Sequence, residues 1–552
     1  MADEKEKTVG VFGVIWFLIV LVLKACAIAL AIATPVLGVW VSSSLAAYLN
    51  GPIWATILVG LLFFPLLPLA WEGFAAWRRS RKEEKRDHVL TFTDRLVLRT
   101  LFLNFSFLVV LLLARPEAGF TALQARGDWM LESVRAPWAD SVRPHLFRTA
   151  DGLEWLYLAF RDNPYADDNP DEGTLPDALP TDTSDTTGGG ATGQGDAGVG
   201  TPSDATKTDQ GIGGRWGGVT GGGQQGGPGD AGPAAEGDGG AQGSDQGGSN
   251  VEPTPSPPTK VRVLWPTPDV LHPVVKSMPS SAETSIKTVA EYINAHESDE
   301  LGRVRAAHDY VADRIAYDAP ALKLPRLPPQ NAERIFKTKV GVCAGYARVL
   351  RALGKAMGLN VVYVVGDSRD EDGDIAGGGH AWNAVKLDGA WHLMDATWDS
   401  GSVGEGGFSK GFTTRYFLTP PDIFGIDHFP DQPQWQLRKT PLSRGDFIRL
   451  PMLDPRFFIA KMELLEPTRS QITVEDEVVI RVKNPNNLYL LASVQAFDNI
   501  GGGGTRCQVN PGSEVRILCH FATSGNWRVK LFMNRQRYGS FAYAGQIMVN
   551  SR

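Results

Sequence analysis

The stretch GVCAGYA at residues 341–347, with GHAWN at 379–383 and DATW at 395–398, decides how this chain is expected to fold. These blocks supply a cysteine, a histidine and an aspartate in that order. A thiolate, its base and a carboxylate that orients the base are the groups of a nucleophilic triad. The order of the blocks therefore predicts a cysteine acyl-transfer site.

Cys343 is predicted to begin a helix. Apolar residues recur at helical spacing over 344–357, and Gly341 allows a sharp turn into that helix. The first turn of a helix favours a thiolate through its dipole, and its backbone N–H groups are placed to hold an oxyanion. We therefore expect a reactive thiol at the helix start. A buried structural cysteine is the alternative.

A hairpin is predicted to carry the other two groups. The segment 380–387 alternates apolar and polar residues, Asp388-Gly389 is a turn signal, and 391–395 returns as the partner strand. Such a hairpin can place the carboxylate of Asp395 next to the imidazole of His380. The other ring nitrogen would then face the cysteine.

These blocks resemble the transglutaminase-like superfamily, whose members share a papain-like α+β core. The resemblance is closer to the branch that includes kyphoscoliosis peptidase. It covers roughly residues 280–440 and is carried further by HDYVADRIAYD at 308–318, YFLTP at 416–420, HFP at 428–430 and WQL at 435–437.

The resemblance implies Cys343 as the nucleophile, His380 as the general base and then acid, and Asp395 as the orienting carboxylate. It implies a protein or peptide substrate and a thioester intermediate, and it leaves peptide hydrolysis, amide transfer to an amine and deamidation open. A catalytically silent binding or scaffold protein of the cell envelope is the alternative function.

No cofactor or metal is expected. The acidic run DEDGD at 370–374 suggests calcium, but Gly379 stands where an EF-hand loop requires its bidentate glutamate. A solvated loop is therefore expected there. His380 and His392 on one hairpin do not make a ligand set.

Composition limits the function classes. The chain has 552 residues and a net charge of −7, which argues against a general nucleic-acid binder. Its four cysteines are too few for a disulfide scaffold. Cys507 and Cys519 flank a Pro511-Gly512 turn, so they can pair in an oxidising compartment or stay free.

A multi-pass membrane anchor is predicted at residues 1–114. A break at Thr34-Pro35 would instead give four spans, and a cleaved signal peptide would remove residues 1–33. Lys24 is expected to snorkel or to pair within the bundle. The three predicted spans are 9–34, 52–71 and 96–114.

Charge predicts the orientation of this anchor. The loop 72–94 is rich in Arg and Lys, whereas 36–51 has neither, so the positive-inside rule puts the loop in the cytoplasm. Everything after Arg115 then lies outside, which in a bacterial inner membrane is the periplasm.

Four further regions follow the anchor. Amphipathic juxtamembrane helices at 115–161 are expected to bind a partner helix, lie on the membrane or form a collar on the spans. The Gly/Asp-rich segment 162–258 is predicted to be disordered, with a reach of about 55 Å as a flexible tether. The transglutaminase-like domain is expected at 260–450 and an all-β sandwich at 451–552.

Overall fold

The computed structural model describes residues 11–49, 51–81, 90–114, 116–132, 134, 136–161, 163–166, 263–370, 375–404, 406–497 and 504–552. The predictions for most of the linker, for much of the basic loop and for the acidic residues 371–374 lie outside these ranges. The chain forms two compact units. One combines the described residues of 1–200, 364–381 and 421–552, and the other combines those of 201–363 and 382–420.

The helices and strands alternate irregularly along the chain. The helices are α1 (Val11–Tyr48), α2 (Ile53–Leu61), α3 (Leu67–Ser80), α4 (Phe92–Ala114), α5 (Pro116–Arg126), α6 (Pro137–Asp151), α7 (Glu154–Phe160), α8 (Pro273–Lys276), α9 (Ile286–His296), α10 (Glu300–Arg314), α11 (Ala332–Thr338), α12 (Cys343–Ala356), α13 (Pro421–Phe424), α14 (Arg444–Arg449) and α15 (Pro455–Ile459). The strands are β1 (Ala316–Tyr317), β2 (Val340–Gly341), β3 (Asn360–Ser368), β4 (Gly378–Leu387), β5 (Ala390–Met394), β6 (Gly401–Gly404), β7 (Gly407–Lys410), β8 (Phe417–Thr419), β9 (His428–Pro430), β10 (Met452–Leu453), β11 (Glu463–Glu466), β12 (Ile472–Val474), β13 (Glu477–Lys483), β14 (Tyr489–Ala496), β15 (Thr505–Arg506), β16 (Gln508–Asn510), β17 (Glu514–His520), β18 (Gly525–Asn534) and β19 (Ala542–Ser551).

Three helical segments among the described residues are long and apolar enough to cross a membrane: Val14–Tyr48, Ile53–Ser80 and Phe92–Ala114. This agrees with three candidate spans. The helix that contains the predicted first span, 9–34, is longer than that span, because α1 continues through Pro35 to Tyr48. Unbroken helix keeps backbone groups paired in an apolar setting, and this outweighs the one hydrogen bond that proline loses. The helix α1 has no break at Thr34-Pro35.

Charged side chains within this helical region are paired. Lys24 Nζ lies 3.2 Å from the Asp94 carboxylate, so the predicted pairing within the bundle is confirmed. Glu72 is buried and contacts Arg79 at 2.8 Å, Arg95 at 3.1 Å and Arg99. These contacts offset part of the cost of holding charge next to hydrocarbon.

The juxtamembrane helices pack on α1, as a collar would. Trp40 Nε1 of α1 donates to the carbonyl of Gly127 at 2.7 Å, and Leu123 shares a buried cluster with Trp40 and Val41. The same helices also contact the C-terminal part of the chain, which the sequence did not predict. Arg126 pairs with Glu132 at 3.2 Å and donates to Asn550 at 3.2 Å. The juxtamembrane helices therefore pack against α1 and contact the C-terminal sheets.

A five-stranded sheet has the strand order β8-β5-β4-β3-β9. Its hairpin pairs β4 with β5 so that Asn383 faces Met394 and Leu387 faces Ala390. Asp388 and Gly389 have φ values of 47° and 79°, as a tight two-residue hairpin turn requires. The predicted hairpin is confirmed.

Two further sheets form the C-terminal part. One has the order β10-β19-β18-β14-β15, with β12 also on β19, and the other has the order β11-β13-β17-β16. Ile480 and Ile517 of one sheet share a buried core with Val529 and Ile547 of the other. Cys507 and Cys519 form a disulfide. Of the two alternatives for these cysteines, the paired one is therefore realised.

Candidate active site

Cys343 is the first residue of α12 and is only 1% exposed. The preceding Val342 is extended, and its N–H donates to Oε1 of Gln330 at 3.0 Å. A Cβ atom built at Gly345 would lie 2.7 Å from the same Oε1. Gln330 thus fixes the turn into the helix, and the glycine leaves room for it. The sequence reasoning did not identify Gln330, since its only signal was a polar residue in a Pro-rich loop.

Asp395 directly follows β5 and is buried. Its Oδ1 accepts hydrogen bonds from the backbone N–H groups of Thr397 at 2.8 Å and Trp398 at 3.4 Å. Its own N–H donates to the carbonyl of Tyr416 at 2.9 Å. These hydrogen bonds fix the position of the Asp395 carboxylate at the end of β5.

Two buried tyrosines border the cysteine and the aspartate. Burial raises the pKa of Tyr317 well above its ordinary value of 10.0, and Cys343, Tyr346 and Asp395 raise it further. Burial also raises the pKa of Tyr346, whose hydroxyl donates to the carbonyl of Ile315 at 2.8 Å. Both phenols therefore stay neutral near pH 7 and remain hydrogen-bond donors.

A buried histidine lies between two carboxylates, one of which directly follows the DATW segment. His308 Nδ1 lies 3.1 Å from Asp309, and its Nε2 lies 3.3 Å from Asp399. Asp399 also accepts from the backbone N–H of Tyr416 at 3.0 Å and from the Thr413 hydroxyl at 2.6 Å. Burial lowers the pKa of His308, but the two carboxylates outweigh it and leave the pKa above 6.5. Asp399 therefore anchors the segment that carries Asp395.

His380 lies near the start of β4 and is buried. Its ring centroid is 5.4 Å from that of His428 on β9. His428 Nδ1 contacts the carboxylate of Asp427 at 2.7 Å, and its ring packs on Phe424 with centroids 4.1 Å apart. The HFP block thus supplies a second imidazole beside His380, to which the sequence reasoning gave no role.

Two of the three predicted site residues belong to the same compact unit. Cys343 and Asp395 belong to the unit that contains α12, and His380 belongs to segment 364–381 of the other.

Metal-binding chemistry is available at the two imidazoles. His380 and His428 are both metal-capable side chains of the described residues, and imidazole suits zinc, copper, iron and nickel. His392 faces Val385 across the hairpin, and burial lowers its pKa below 6.5. The acidic run considered for calcium lies mostly outside the described residues.

Comparison with known proteins identifies the region around this site. The family model of the transglutaminase-like superfamily matches residues 287–396. Kyphoscoliosis peptidase of Mus musculus is 33% identical over 218 residues, covering 37% of this chain and 33% of that protein. The Homo sapiens protein of the same name is 33% identical over 193 residues, covering 34% of this chain and 29% of that protein. The chain thus spans about a third of the length of these curated relatives.

Among solved structures, the crystal structure of red sea bream transglutaminase is similar at 12% identity. The similarity covers 50% of this chain and 56% of that one, with a TM-score of 0.18. The sequence matches thus confirm the resemblance inferred from the three blocks, and they place it on the residues that carry the cysteine, the histidine and the aspartate.

Proposed function

We propose that this chain, whose residues 287–396 match the transglutaminase-like superfamily, is a membrane-anchored cysteine enzyme. It acts on amide bonds of proteins or peptides through a thioester, as a peptidase, a transamidase or a deamidase. The position of Cys343 as the first residue of α12 carries this proposal. A helix start favours the thiolate and supplies N–H donors for an oxyanion.

His380 is the proposed base and Asp395 its orienting carboxylate. The hairpin register supports this pairing. Asn383 pairs with Met394 in the antiparallel hairpin. In the same register, Trp382, one residue before Asn383, lies opposite Asp395, one residue after Met394. Side chains alternate along a strand, so His380 shares a face with Trp382. The pleat thus favours placing the imidazole and the carboxylate on the same side of the sheet.

The proposed reaction has two halves. His380 takes the thiol proton, the sulfur of Cys343 attacks the amide carbon, and N–H groups at the start of α12 bind the oxyanion. The C–N bond then breaks, and His380 returns the proton to the leaving amine. In the second half His380 deprotonates water or an amine, which attacks the thioester and releases the thiol. Water gives a hydrolysed product, and an amine gives a new amide.

The site is proposed to face the extracytoplasmic side. Arg78, Arg79 and Arg81 follow the second span predicted from the sequence, 52–71, whereas residues 36–51 contain no lysine or arginine. The positive-inside rule then places the chain after Ala114 outside the cytoplasm. The disulfide between Cys507 and Cys519 supports this side, because disulfides persist in oxidising compartments. We also propose that the two C-terminal sheets are the faces of a β-sandwich at 451–552 that binds substrate or a partner.

A second candidate function is a catalytically silent scaffold of the cell envelope. The nearly complete burial of Cys343 favours it, since a nucleophile must be reached by its substrate. In an enzyme the burial is relieved when the site opens, whereas in a scaffold the thiol stays inaccessible in the folded protein.

Thiol labelling separates the two candidates. The full chain in detergent is treated with iodoacetamide at about pH 6, where an ordinary thiol is almost wholly protonated. If the protein is the proposed enzyme, Cys343 is expected to be modified in the wild type and to be modified much more slowly in His380→Ala. Peptide mapping by mass spectrometry identifies the labelled residue, and Cys343→Ala is the control. If the wild type and His380→Ala were labelled equally slowly, the proposed enzyme function would be contradicted. A peptide library offered to a His380 variant then identifies the acyl group that is trapped as a thioester.

A further inference from the structure

A short segment after α7 lies against the beginning of the strand that carries His380. We call Arg161 and Asn163–Ala166 the strap. The strap precedes the long linker, so it comes from the membrane-proximal part of the chain and lies outside the predicted transglutaminase-like domain. It belongs to the same compact unit as residues 364–381 and 421–552.

Arg161 binds two carboxylates. Its Nε and Nη2 lie 3.0 Å and 2.8 Å from Oδ1 of Asp367, and its Nη1 lies 2.6 Å from Oδ1 of Asp431. Asp367 is 1% exposed and is part of β3. Its other oxygen accepts from Nη1 of Arg444 at 2.6 Å. Each oxygen of this buried carboxylate is therefore held by a different guanidinium, one of which the strap supplies.

The buried carboxylate of Asp367 needs both guanidinium groups, those of Arg161 and Arg444, to balance its negative charge. Burial raises the pKa of Asp367 above its ordinary value, while Arg444 and Arg161 oppose that effect and Asp431 adds to it. Arg444 also lies 3.5 Å from the carboxylate of Glu154, so its positive charge interacts with two carboxylates and not with Asp367 alone. Loss of Arg161 would leave a buried carboxylate with one shared partner, and β3 would lose a fixed contact at its end.

Asn163 extends the attachment from β3 to β4. Its side-chain amide donates to the carbonyl of Gly366 at 3.0 Å, and its Oδ1 accepts from the N–H of Tyr165 at 3.1 Å. A Cβ atom built at Gly379 would lie 3.0 Å from that same Oδ1 and 3.2 Å from Cδ of Pro164. The strap therefore touches the residue directly before His380.

The strap thus contacts the two strands that carry the imidazoles. Strand β3 pairs with β9 so that Ser368 faces His428 and Gly366 faces Pro430. Asp431, which follows β9, accepts from Arg161 and from the Asn163 amide at 3.3 Å. Three chain segments that are distant in sequence are tied to each other at this point by the strap.

We propose that Arg161 and Asn163 are positioning residues for His380, so that the reactivity of the cysteine site depends on a membrane-proximal segment outside the transglutaminase-like domain. This inference rests on the proposed function. The strap holds the start of β4 in place, and the start of β4 sets the direction of the His380 ring. Misplacement of a catalytic group by about 1 Å is enough to slow a reaction by about a hundredfold.

The first test measures whether the strap holds β4. The full chain in detergent is compared with Arg161→Gln and Asn163→Ala by hydrogen–deuterium exchange, and Arg148→Gln serves as the control because Arg148 is exposed on α6. Amides of 378–387 are expected to exchange about tenfold faster in the two strap variants, with unchanged exchange in the core of the C-terminal sheets. Unchanged exchange of 378–387 would overturn the inference, whatever the activity of the protein.

The second test measures positioning. Iodoacetamide labelling of Cys343 is followed at about pH 6 and about pH 9, since a thiolate forms without a base at the higher pH. Both strap variants are expected to react about tenfold more slowly than the wild type at pH 6 and at nearly the same rate at pH 9. A parallel loss at both pH values, or no loss, would contradict a positioning role. If the wild type itself lacks reactivity at pH 6, the proposed enzyme function fails, and with it the catalytic part of this inference.

Discussion

Gln330 accepts a hydrogen bond from the backbone N–H of Val342, 3.0 Å away, one residue before the cysteine. Gln330 is buried, and its amide nitrogen donates to the carbonyl of Pro328 at 2.9 Å. A loop from outside the motif thus satisfies the backbone where the chain turns into α12. Four predictions follow from this contact and from others described above.

Gln330→Ala is expected to destabilise the protein by about 1–3 kcal/mol, because it leaves the buried N–H of Val342 without an acceptor. It is also expected to slow labelling of Cys343, since the first turn of α12 loses a support. Thermal unfolding of the full chain in detergent measures the first effect. Gln508→Ala, at an exposed position on β16, is the control. A variant as stable as this control would show that the hydrogen bond contributes nothing.

Gly345→Ala tests the space around the same side chain. Helix propensity favours alanine over glycine by about 1 kcal/mol. The new Cβ would lie 2.7 Å from Oε1 of Gln330 and 2.9 Å from Cγ1 of Ile335, so the clash is expected to win and the variant to be less stable. Gly73→Ala on α3 is the matched control, since a Cβ there meets nothing within 4 Å. A Gly345→Ala protein with a higher unfolding temperature than the wild type would contradict the expected crowding.

The charged His308 is expected to make stability depend on pH. Its pKa in the folded protein lies above 6.5, so its pairing with Asp309 and Asp399 stabilises fully below about pH 6.5. This contribution is lost as pH rises through the raised pKa. The stability difference between the wild type and His308→Gln should therefore be largest at acidic pH and shrink toward alkaline pH. Chemical denaturation across this range measures it, and a difference that grows with pH would refute the assignment.

Reduction of the disulfide between Cys507 and Cys519 is expected to lower stability by about 2–3 kcal/mol, because the bridge closes a loop with a sequence separation of 12. The experiment uses a Cys343→Ala background, so that the reductant acts on the disulfide alone. Unfolding with and without reductant gives the difference. An unchanged unfolding midpoint, with reduction verified by mass spectrometry, would show that the two sheets do not need the bridge.

Local signals in the sequence predicted local structure well. Asp388-Gly389 specified the hairpin because both residues tolerate positive φ, and the apolar spacing after Cys343 specified α12. The Thr34-Pro35 pair did not predict the length of α1, since proline usually ends a helix but is tolerated within long apolar ones.

Contacts between distant residues could not be predicted in this way. Gln330 lies in a loop, Asp399 follows the DATW block, and Arg161 lies just beyond the amphipathic helices. In the sequence, each of these residues looks like an ordinary polar residue, because only the folded structure places its partner next to it. The role of the membrane-proximal helices was missed for the same reason, because Arg126 and Arg161 pair with residues hundreds of positions away.

The length of α1 has a consequence for where the protein works. Its 38 residues extend about 57 Å at about 1.5 Å per residue, whereas the hydrocarbon of a bilayer is about 30 Å thick. Its last residue, Tyr48, accepts a hydrogen bond through its carbonyl from the Asn526 side chain of β18 at 3.1 Å. In the proposed membrane anchor, the part of α1 that extends beyond the hydrocarbon sets the distance of the C-terminal sheets from the lipid. Under the same proposal, proteins embedded in or resting on the membrane are within reach of these sheets, and proteins deeper in the surrounding compartment must diffuse to them.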